Sequence, residues 1–469
     1  MVTRSGLCRG TLYGSVSAIS DRFGRWPSSP ASLAQPRPRH IGRTYEVGIG
    51  AAIRNHDAVE VALVALVFSA SLFNSQVGPL SPLAVMALIP AYGWLRYERV
   101  LPLLVRCWPV LLLPGFALLS AAWSISPGDT LRYGTLYGAT AIAGVIFGGG
   151  MRRTPLLIGL FLAFAIYNLG AFAFGHSVAW GGGNMGSQAF SGLSGGKNQS
   201  GDIAALGMII GVATAVLAVT RRRPLLLALV LGAMGPTMWI LWMSHATGSL
   251  IAGAGASLCL LLWSSSQLLP REWRTAIFMV VALVVVVAMA TQSVWTQPLF
   301  DFVLKSSGKD AGLTGRAFIW NRADMLIHER PWLGLGYGAF WVPGNLDAEA
   351  IWRFAGIAGK SGFNFHNTGR EILVALGWSG LLLFVGVLVI GFVSLLIRAM
   401  VTPDQTIIMF CAFVVYYGMR FGVEALGFVP INYGAILIYA TCAMGYAAVP
   451  DRPRTLVGHG GSRRPVGSY

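Results

Sequence analysis

The chain has 469 residues, of which 55% are hydrophobic and only 11% are charged. A soluble globular protein carries about 25% charged residues, so this composition excludes an ordinary soluble domain and indicates a polytopic membrane protein. The formal net charge is +16, but most basic residues stand in short links between apolar runs, where they set membrane orientation. We therefore expect membrane lipid as a partner and no nucleic acid.

Apolar runs organise the chain after a polar start. Residues 1–56 are rich in Arg, Ser, Pro and Gly and predict a disordered basic cytoplasmic tail, with an over-called start site or a transit-like peptide as alternatives. About twelve later stretches are long enough to cross a hydrocarbon core of roughly 30 Å. They lie near residues 58–73, 77–95, 100–123, 131–149, 155–174, 201–220, 224–243, 247–264, 275–291, 372–397, 404–422 and 428–447.

The predicted fold is all-α, a polytopic membrane protein with about twelve transmembrane helices and one large extracytoplasmic loop. Helices 1–9 occupy residues 57–290, the loop occupies 291–370, helices 10–12 occupy 371–448, and a cytoplasmic tail occupies 449–469. Arginines crowd alternate links, and the other short links carry almost no cations. This asymmetry predicts that both termini are cytoplasmic and that the loop faces outward.

A glycine-rich link, residues 175–201, joins the fifth and sixth apolar segments. Glycine lets a backbone turn sharply and approach a ligand closely, and Lys197-Asn198 stand just before the sixth segment. The order of residues is not that of a phosphate-binding P-loop. A flexible linker and a ligand-contacting link both stay open as interpretations.

Two outward-facing arginines are candidates for binding phosphate. Arg132 begins the fourth apolar segment, and Arg316 begins a helical-looking stretch on which Arg316, Trp320 and Ala323 share one face. A guanidinium presents a planar fork that matches two phosphate oxygens, and it does not lose its charge. The alternative for both arginines is contact with phospholipid headgroups.

The outer mouth of the tenth segment carries a histidine among polar residues. His366 is followed by Asn367 and, one turn on, by Arg370. An imidazole accepts a proton at physiological pH, so His366 is a candidate general base, with a structural histidine as the alternative. Upstream, the alternating glycines of residues 331–338 predict a bent segment packed against the membrane surface.

Arg420 and Glu424 lie four residues apart near the outer end of the eleventh segment. They would share one helix face and can pair. Ionisable groups in a membrane segment mark either a function or a structural strut, and spacing does not choose between these. The predicted outward-facing parts show no DxD-type carboxylate pair, and the sequence shows no Cys/His cluster among its five cysteines and no nucleotide fingerprint. A metal-dependent enzyme using sugar nucleotides is therefore disfavoured, and neither metal nor cofactor is expected.

Taken in order, these elements resemble the superfamily of O-antigen ligases and of O-antigen and exopolysaccharide polymerases. The resemblance runs along most of the chain, and it depends on the order and sidedness of short motifs. The matching elements are Trp123-Ser124 through Pro127 to Arg132, Ser191 to Gly201 with Lys197-Asn198, Ser244 to Ser249, Gly315-Arg316 with Trp320, Pro331 through Gly334 and Gly336 to Phe340, His366-Asn367, and Glu424.

The resemblance implies a metal-independent, inverting glycosyl transfer at the outer face of the bacterial inner membrane, with a glycan on undecaprenyl diphosphate as donor. It implies that Arg316 stabilises the departing diphosphate and that His366 acts as general base on the attacking hydroxyl. Other polysaccharide assembly and chain-length proteins are the implied partners. Beside His366 and Arg316 as catalytic residues, the predicted diphosphate- or substrate-binding residues are Arg132, Lys197, Asn198, Asn367, Arg370, Arg420 and Glu424.

Three functions stay open. A polymerase that joins repeat units is favoured, since the 244–249 element lacks the arginine that ligases of the superfamily often carry there. An O-antigen ligase would use the same donor with lipid A–core as acceptor. A lipid-linked glycan transporter is disfavoured, because transporters place polar sites at the midplane of repeated halves. Gly196, where many relatives carry histidine, puts a role for the Lys197 region in doubt.

Overall fold

The computed structural model describes residues 42–179, 188–270, 272–277, 279–280, 287, 291, 316–357, 359–360 and 363–447, with side chains from residue 56 onward. Outside the described residues lie most of the predicted N-terminal tail, the C-terminal tail, the Trp180–Asn184 part of the glycine-rich link, most of segment 275–291, and Thr314-Gly315. The chain divides into two compact units, Met1–Ala52 and Ile53–Tyr469. The site described below belongs to the second unit.

Fifteen helices have bounds within the described residues, with two 3-10 turns, one π-helical turn and one two-stranded sheet between them. The helices are α1 (Gly42–Leu72), α2 (Asn74–Val77), α3 (Leu80–Leu95), α4 (Tyr97–Arg106), α5 (Leu112–Leu119), α6 (Pro127–Val145), α7 (Arg153–Phe174), α8 (Lys197–Thr220), α9 (Pro224–Met243), α10 (Thr247–Ser266), α11 (Arg316–Glu329), α12 (Leu346–Phe354), α13 (Thr368–Val401), α14 (Gln405–Arg420) and α15 (Tyr433–Tyr446).

The glycine-rich link contains a β-hairpin, which the all-α prediction missed. Strands β1 (His176–Ala179) and β2 (Gln188–Gly192) pair antiparallel. Phe190 of β2 packs edge-on against Trp239 of α9, with ring centroids 5.0 Å apart. This aromatic contact anchors the hairpin to the helices, so where it is described the link is ordered structure and not a plain linker.

Five described helices are long and apolar enough to cross a membrane, namely α7, α8, α9, α10 and α13. A sixth span results if α4 and the stretch Trp108–Ala122 are counted together, although they meet at 77°. Predicted segment 100–123 is therefore bent and not straight. Pro109 at the bend has no N–H to donate to a helical hydrogen bond, which accounts for the break. Twelve spans stay a prediction.

Two predicted boundaries differ from the observed ones. Helix α1 begins at Gly42 and so includes the last part of the predicted tail 1–56. That part has no proline and can continue a helix. Helix α14 ends at Arg420, before the predicted end at 422. Glu424 therefore lies in the connection between α14 and α15, outside both helices.

Helix α13 consists of two helices joined at a break. Gly377 has φ 64° and ψ −166°, which glycine adopts without a Cβ clash. A break leaves backbone groups without helical partners, and segment 331–336 supplies partners for them. The bonds run from Leu335 N–H to Val374 O (2.9 Å), from Gly336 N–H to Ala375 O (2.9 Å) and from Trp378 N–H to Pro331 O (2.8 Å).

The alternating glycines allow segment 331–338 to lie inside the protein. Gly334, Gly336 and Gly338 all have positive φ. A Cβ on Gly334 would come within 2.5 Å of the Ala375 backbone, and one on Gly336 within 2.3 Å of Ser124 Oγ. The segment thus joins the entrance of α6 to the break in α13. Residues 334–337 are buried by protein, while Trp332 and Leu333 are exposed, and the predicted packing against the membrane surface stays a prediction.

Candidate functional site

The predicted loop 291–370 is a packed unit where it is described. Helices α11 and α12 share a small apolar core with Phe365, which includes Ile319 and Trp352. Arg316, Trp320 and Ala323 share a helix face as predicted: Ala323 is buried, and Trp320 Nε1 donates to Phe365 O at 2.8 Å. This packing fixes α11, and with it Arg316, relative to the segment that carries His366.

One buried carboxylate is contacted by polar groups from three distant parts of the chain. Glu424 is 6% exposed. Its Oε1 accepts from Arg316 Nη2 at 2.9 Å and from Asn198 Nδ2 at 2.8 Å. Its Oε2 lies 3.0 Å from Nδ1 of His366. Asn198, Arg316, His366 and Glu424 are called the carboxylate cluster below. All four were predicted as site residues, and the structure brings them together.

The electrostatics of the cluster fix the proton on His366. Burial alone would raise the pKa of Glu424, but the hydrogen bond from His366 and the charges of His366, Arg420 and Arg316 hold that pKa below its ordinary value. Glu424 is therefore ionised at neutral pH and accepts hydrogen bonds without donating. Nδ1 of His366 is then the donor in this contact, and whenever the ring is neutral its Nε2 can accept a proton.

Half-buried side chains hold the backbone just before His366. Phe365 N–H donates to Glu371 Oε2 at 2.9 Å, and Phe365 O accepts from Trp320 Nε1. His366 itself has a positive φ of 50°, which is uncommon for a residue with a side chain. Its N–H donates to Asn364 Oδ1 at 2.8 Å. The imidazole thus stands on a backbone that is fixed on both sides.

The segments that carry His366 and Glu424 are tied to each other. Thr368 N–H donates to Phe421 O at 2.9 Å, and Thr368 Oγ1 donates to Glu424 O at 2.8 Å. Asn367 Nδ2 donates to Gly422 O at 2.9 Å. Asn367 Oδ1 caps α13 by accepting from the N–H of Arg370. Both ends of the Asn367 amide are engaged within the protein, so its predicted substrate contact stays a prediction.

Arg420 adjoins the cluster but has a different main partner from the one predicted. Its Nη2 lies 3.8 Å from Glu424 Oε1, while its Nε and Nη2 donate to the two oxygens of Asp202 at 3.0 and 3.1 Å. The predicted Arg420–Glu424 pair is therefore the weaker contact, because α14 ends at Arg420. Sequence reasoning missed Asp202, although a lone carboxylate in an apolar segment was a usable signal.

The remaining predicted residues are not members of this cluster. Arg370 forms a two-pronged ion pair with Asp324, at 2.8 and 3.0 Å, and its guanidinium stacks 4.8 Å from the Trp320 ring. Lys197 begins α8 one residue before Asn198. Arg132 is exposed, lies 5.7 Å over the Tyr133 ring and, among the described residues, forms no ion pair. Tyr133 lies against Gly338, so Arg132 is beside segment 331–338 and not in the cluster.

No group of three or more His, Cys, Asp or Glu side chains is arranged to hold a metal ion in the described part of the chain. The polar groups that lie within hydrogen-bond distance of Glu424 are one guanidinium group, one imidazole and one amide. Such a set can bind an anion, orient a general base and stabilise developing negative charge.

Two comparisons with known proteins bear on what this arrangement does. Residues 232–385 match a family model described as O-antigen ligase. The chain is 29% identical over 414 residues to the exopolysaccharide production protein ExoQ of Rhizobium meliloti (strain 1021). That similarity covers 84% of this chain and 88% of the relative. The family match includes Arg316 and His366, and the longer similarity extends over most of both chains.

Proposed function

We propose a specific reaction for this chain, which belongs to the superfamily of O-antigen ligases and polysaccharide polymerases and has the apolar helices of a membrane protein. Its general function is membrane glycan processing of the ligase or polymerase type. Our proposal is that it transfers a glycan from undecaprenyl diphosphate onto another lipid-linked repeat unit. We place the reaction at the outer face of the bacterial inner membrane, with both termini cytoplasmic.

The carboxylate cluster carries the proposal. Its central observation is that ionised Glu424 lies within hydrogen-bond distance of both His366 and Arg316, at 3.0 and 2.9 Å. A base oriented by a carboxylate and placed beside a cation is an arrangement for removing a proton while negative charge develops nearby. Asn198 takes a further lone pair of the carboxylate and limits its rotation.

The reaction step follows from these positions. The acceptor hydroxyl attacks the anomeric carbon of the donor sugar, and the bond from that carbon to the diphosphate oxygen breaks with both electrons leaving on the diphosphate. Nε2 of His366 takes the hydroxyl proton, and Glu424 stabilises the resulting imidazolium. Displacement from the face opposite the leaving group inverts the anomeric configuration. The sugar–diphosphate bond supplies the driving force, so no nucleotide or metal enters our scheme.

Arginine side chains receive the departing diphosphate in this scheme. Arg316 donates one N–H to Glu424, and its other N–H groups can donate to phosphate oxygens. Arg132 is exposed and, within the described residues, is not neutralised by a carboxylate. We propose that it binds a phosphate at the edge of the site. Arg370 is already engaged with Asp324, and we assign it to holding α11 in place.

Polymerase and ligase differ in the acceptor and not in the donor. The polymerase proposal is supported by similarity over most of the chain to a protein named for exopolysaccharide production. The ligase alternative is supported by the description of the matching family model. A reaction that offers both a lipid-linked repeat unit and lipid A–core separates them, because a polymerase elongates the first and a ligase modifies the second.

The proposal is tested with purified full-length protein in lipid, given an undecaprenyl-diphosphate oligosaccharide without nucleotide. We expect the glycan to lengthen, as followed on gels. Arg316→Ala is expected to lower turnover by about 10²–10³-fold, because it removes a cation that faces the leaving group. His366→Ala is expected to lower it by about 10²–10⁴-fold, because it removes the base.

Two matched variants on α11 serve as controls. Arg322 pairs with Asp347 away from the cluster, and His328 contacts the Asp324 carbonyl. Arg322→Ala and His328→Ala should keep turnover near that of the unchanged protein. Full turnover in His366→Ala would remove the base assignment, and glycan found on lipid A–core alone would replace the polymerase with a ligase.

A further inference from the structure

A second buried carboxylate lies next to the carboxylate cluster and has no part in the reaction described so far. Asp202 is 4% exposed, in the membrane-span candidate α8. Besides its two bonds from Arg420 it accepts from Tyr416 OH at 2.6 Å and from Ser249 Oγ at 2.7 Å. Four hydrogen bonds on one carboxylate inside an apolar bundle compensate the large cost of burying its charge.

Two pairs of side-chain contacts join α8, which carries Asp202, to the cluster and to Arg420. Asn198 and Asp202 are four residues apart on α8 and therefore share a face. Asn198 contacts Glu424 and Asp202 contacts Arg420, while Arg420 and Glu424 are themselves 3.8 Å apart. Arg420 thus lies between the carboxylates of Asp202 and Glu424. It donates its hydrogen bonds to Asp202, not to Glu424, which contacts His366.

Helix α10 is shaped to admit this guanidinium. A Cβ on Gly248 would come within 2.3 Å of Arg420 Nη1, so any side chain there would displace the arginine. Ser249, the next residue, donates to Asp202. The 244–249 element therefore holds the Asp202–Arg420 pair from a third helix. This gives the element a role, which the reaction scheme did not.

We propose that Asp202 is a positioning residue that keeps Arg420 away from Glu424, so that Glu424 stays available to His366 and Arg316. This inference rests on the proposed function. Arg420 without Asp202 would have Glu424 as its nearest described carboxylate. A guanidinium pairs with a carboxylate through two parallel hydrogen bonds, and such a pair would occupy both oxygens that now serve His366 and Arg316.

The first test compares Asp202→Asn with the double variant Asp202→Asn/Arg420→Gln. Asp202→Asn should lower kcat about 100-fold with little change in the KM for the donor, because His366 is misplaced while donor contacts persist. The double variant should recover most of the lost turnover, because the released guanidinium is gone. Unchanged kcat in folded Asp202→Asn protein, or a double variant as inactive as the single one, would overturn the proposal.

Folding is controlled separately. Asn168→Ala removes a buried contact to Thr237 between α7 and α9, and it should lower thermal stability without lowering kcat per folded protein. If Asp202→Asn does not fold, Gly248→Ala crowds Nη1 of Arg420 without deleting a charge, and it too should lower kcat. On the same helix, a Cβ on Gly255 would make an ordinary 3.7 Å contact with Met419 Sδ, so Gly255→Ala should not lower kcat. Full turnover in Gly248→Ala would then overturn the proposal.

The proposed function and the Asp202 inference fail in different ways. Full turnover in His366→Ala counts against the proposed base and makes the positioning of its imidazole irrelevant. Loss of turnover in His366→Ala, together with normal kcat in Asp202→Asn and Gly248→Ala, leaves the proposed function standing and removes only the role of Asp202.

Discussion

At the residue scale, the decisive contact is the Glu424 carboxylate, which contacts both the proposed base His366 and the cation Arg316. We predict that Glu424→Gln lowers kcat by about 10²–10⁴-fold, since the amide cannot stabilise an imidazolium or fix the proton on Nδ1 of His366. Turnover at saturating donor measures this loss. Glu424→Asp, which keeps the charge on a shorter side chain, should recover part of it.

A glutamate outside the cluster provides the control for this substitution. Glu349 on α12 also has a lowered pKa, because the Gly344 N–H and the Lys360 ammonium stabilise its charge, yet it lies outside the cluster. Glu349→Gln should therefore leave turnover unchanged. If Glu424→Gln and Glu349→Gln gave the same activity, the carboxylate cluster would not be the reaction centre.

Acid stability gives an independent measure at the same residue. The pKa of Glu424 is lowered in the folded protein, so its stabilising contribution is present above the ordinary pKa of 4.5 and is lost as pH falls through the folded value. We predict that thermal stability falls on acidification below about pH 4.5 and falls less steeply in Glu424→Gln. Thermal unfolding across a pH series checks this, and parallel curves for the two proteins would contradict it.

The sequence predicted these residues unevenly. His366, Arg316, Asn198 and Glu424 were each chosen from short motifs and a family resemblance, and they converge. Asp202 was missed because its partner Arg420 is 218 positions away, and a pairwise rule along one helix detects only neighbours. The predicted Arg420–Glu424 pair followed that local rule, and the end of α14 at Arg420 made it the weaker contact.

At the element scale, the broken helix α13 sets where His366 stands. We predict that Gly377→Ala destabilises the protein by at least about 1–3 kcal/mol, because a side chain is strained at φ 64° and its Cβ would come within 2.3 Å of the Trp332 backbone. Segment 331–336 would then leave the break, so turnover should fall as well. Thermal unfolding in detergent and glycan elongation measure the two effects.

A glycine further along the same helix is the matched control. A Cβ on Gly386 meets nothing within 4 Å, so Gly386→Ala should keep both stability and turnover. Equal stability of the two alanine variants would show that the break at Gly377 does not depend on glycine. Sequence alone gives no means of separating these two positions, since both are glycines in one apolar run. The two positions differ because segment 331–336 packs against Gly377 and not against Gly386.

At the scale of the whole molecule, composition predicted the membrane class and the helical fold, because apolar runs and arginine-rich links are strong local signals. The small hairpin of the glycine-rich link and the 77° bend after α4 were not predicted. Both depend on contacts or angles between elements, which hydropathy along a chain does not report. The burial of residues 334–337 by protein was missed for the same reason.

The last prediction concerns the orientation of the chain, on which the proposed reaction depends. Single cysteines at Leu346 in α12 and at Leu268 after α10, which are 82% and 89% exposed, are introduced after the five native cysteines are replaced. The arginine asymmetry puts residue 346 outside and residue 268 inside. A membrane-impermeant maleimide should label Leu346→Cys in intact spheroplasts and Leu268→Cys only after lysis. The opposite pattern would place the carboxylate cluster on the cytoplasmic side, where the elongation of an outward-facing lipid-linked glycan could not occur.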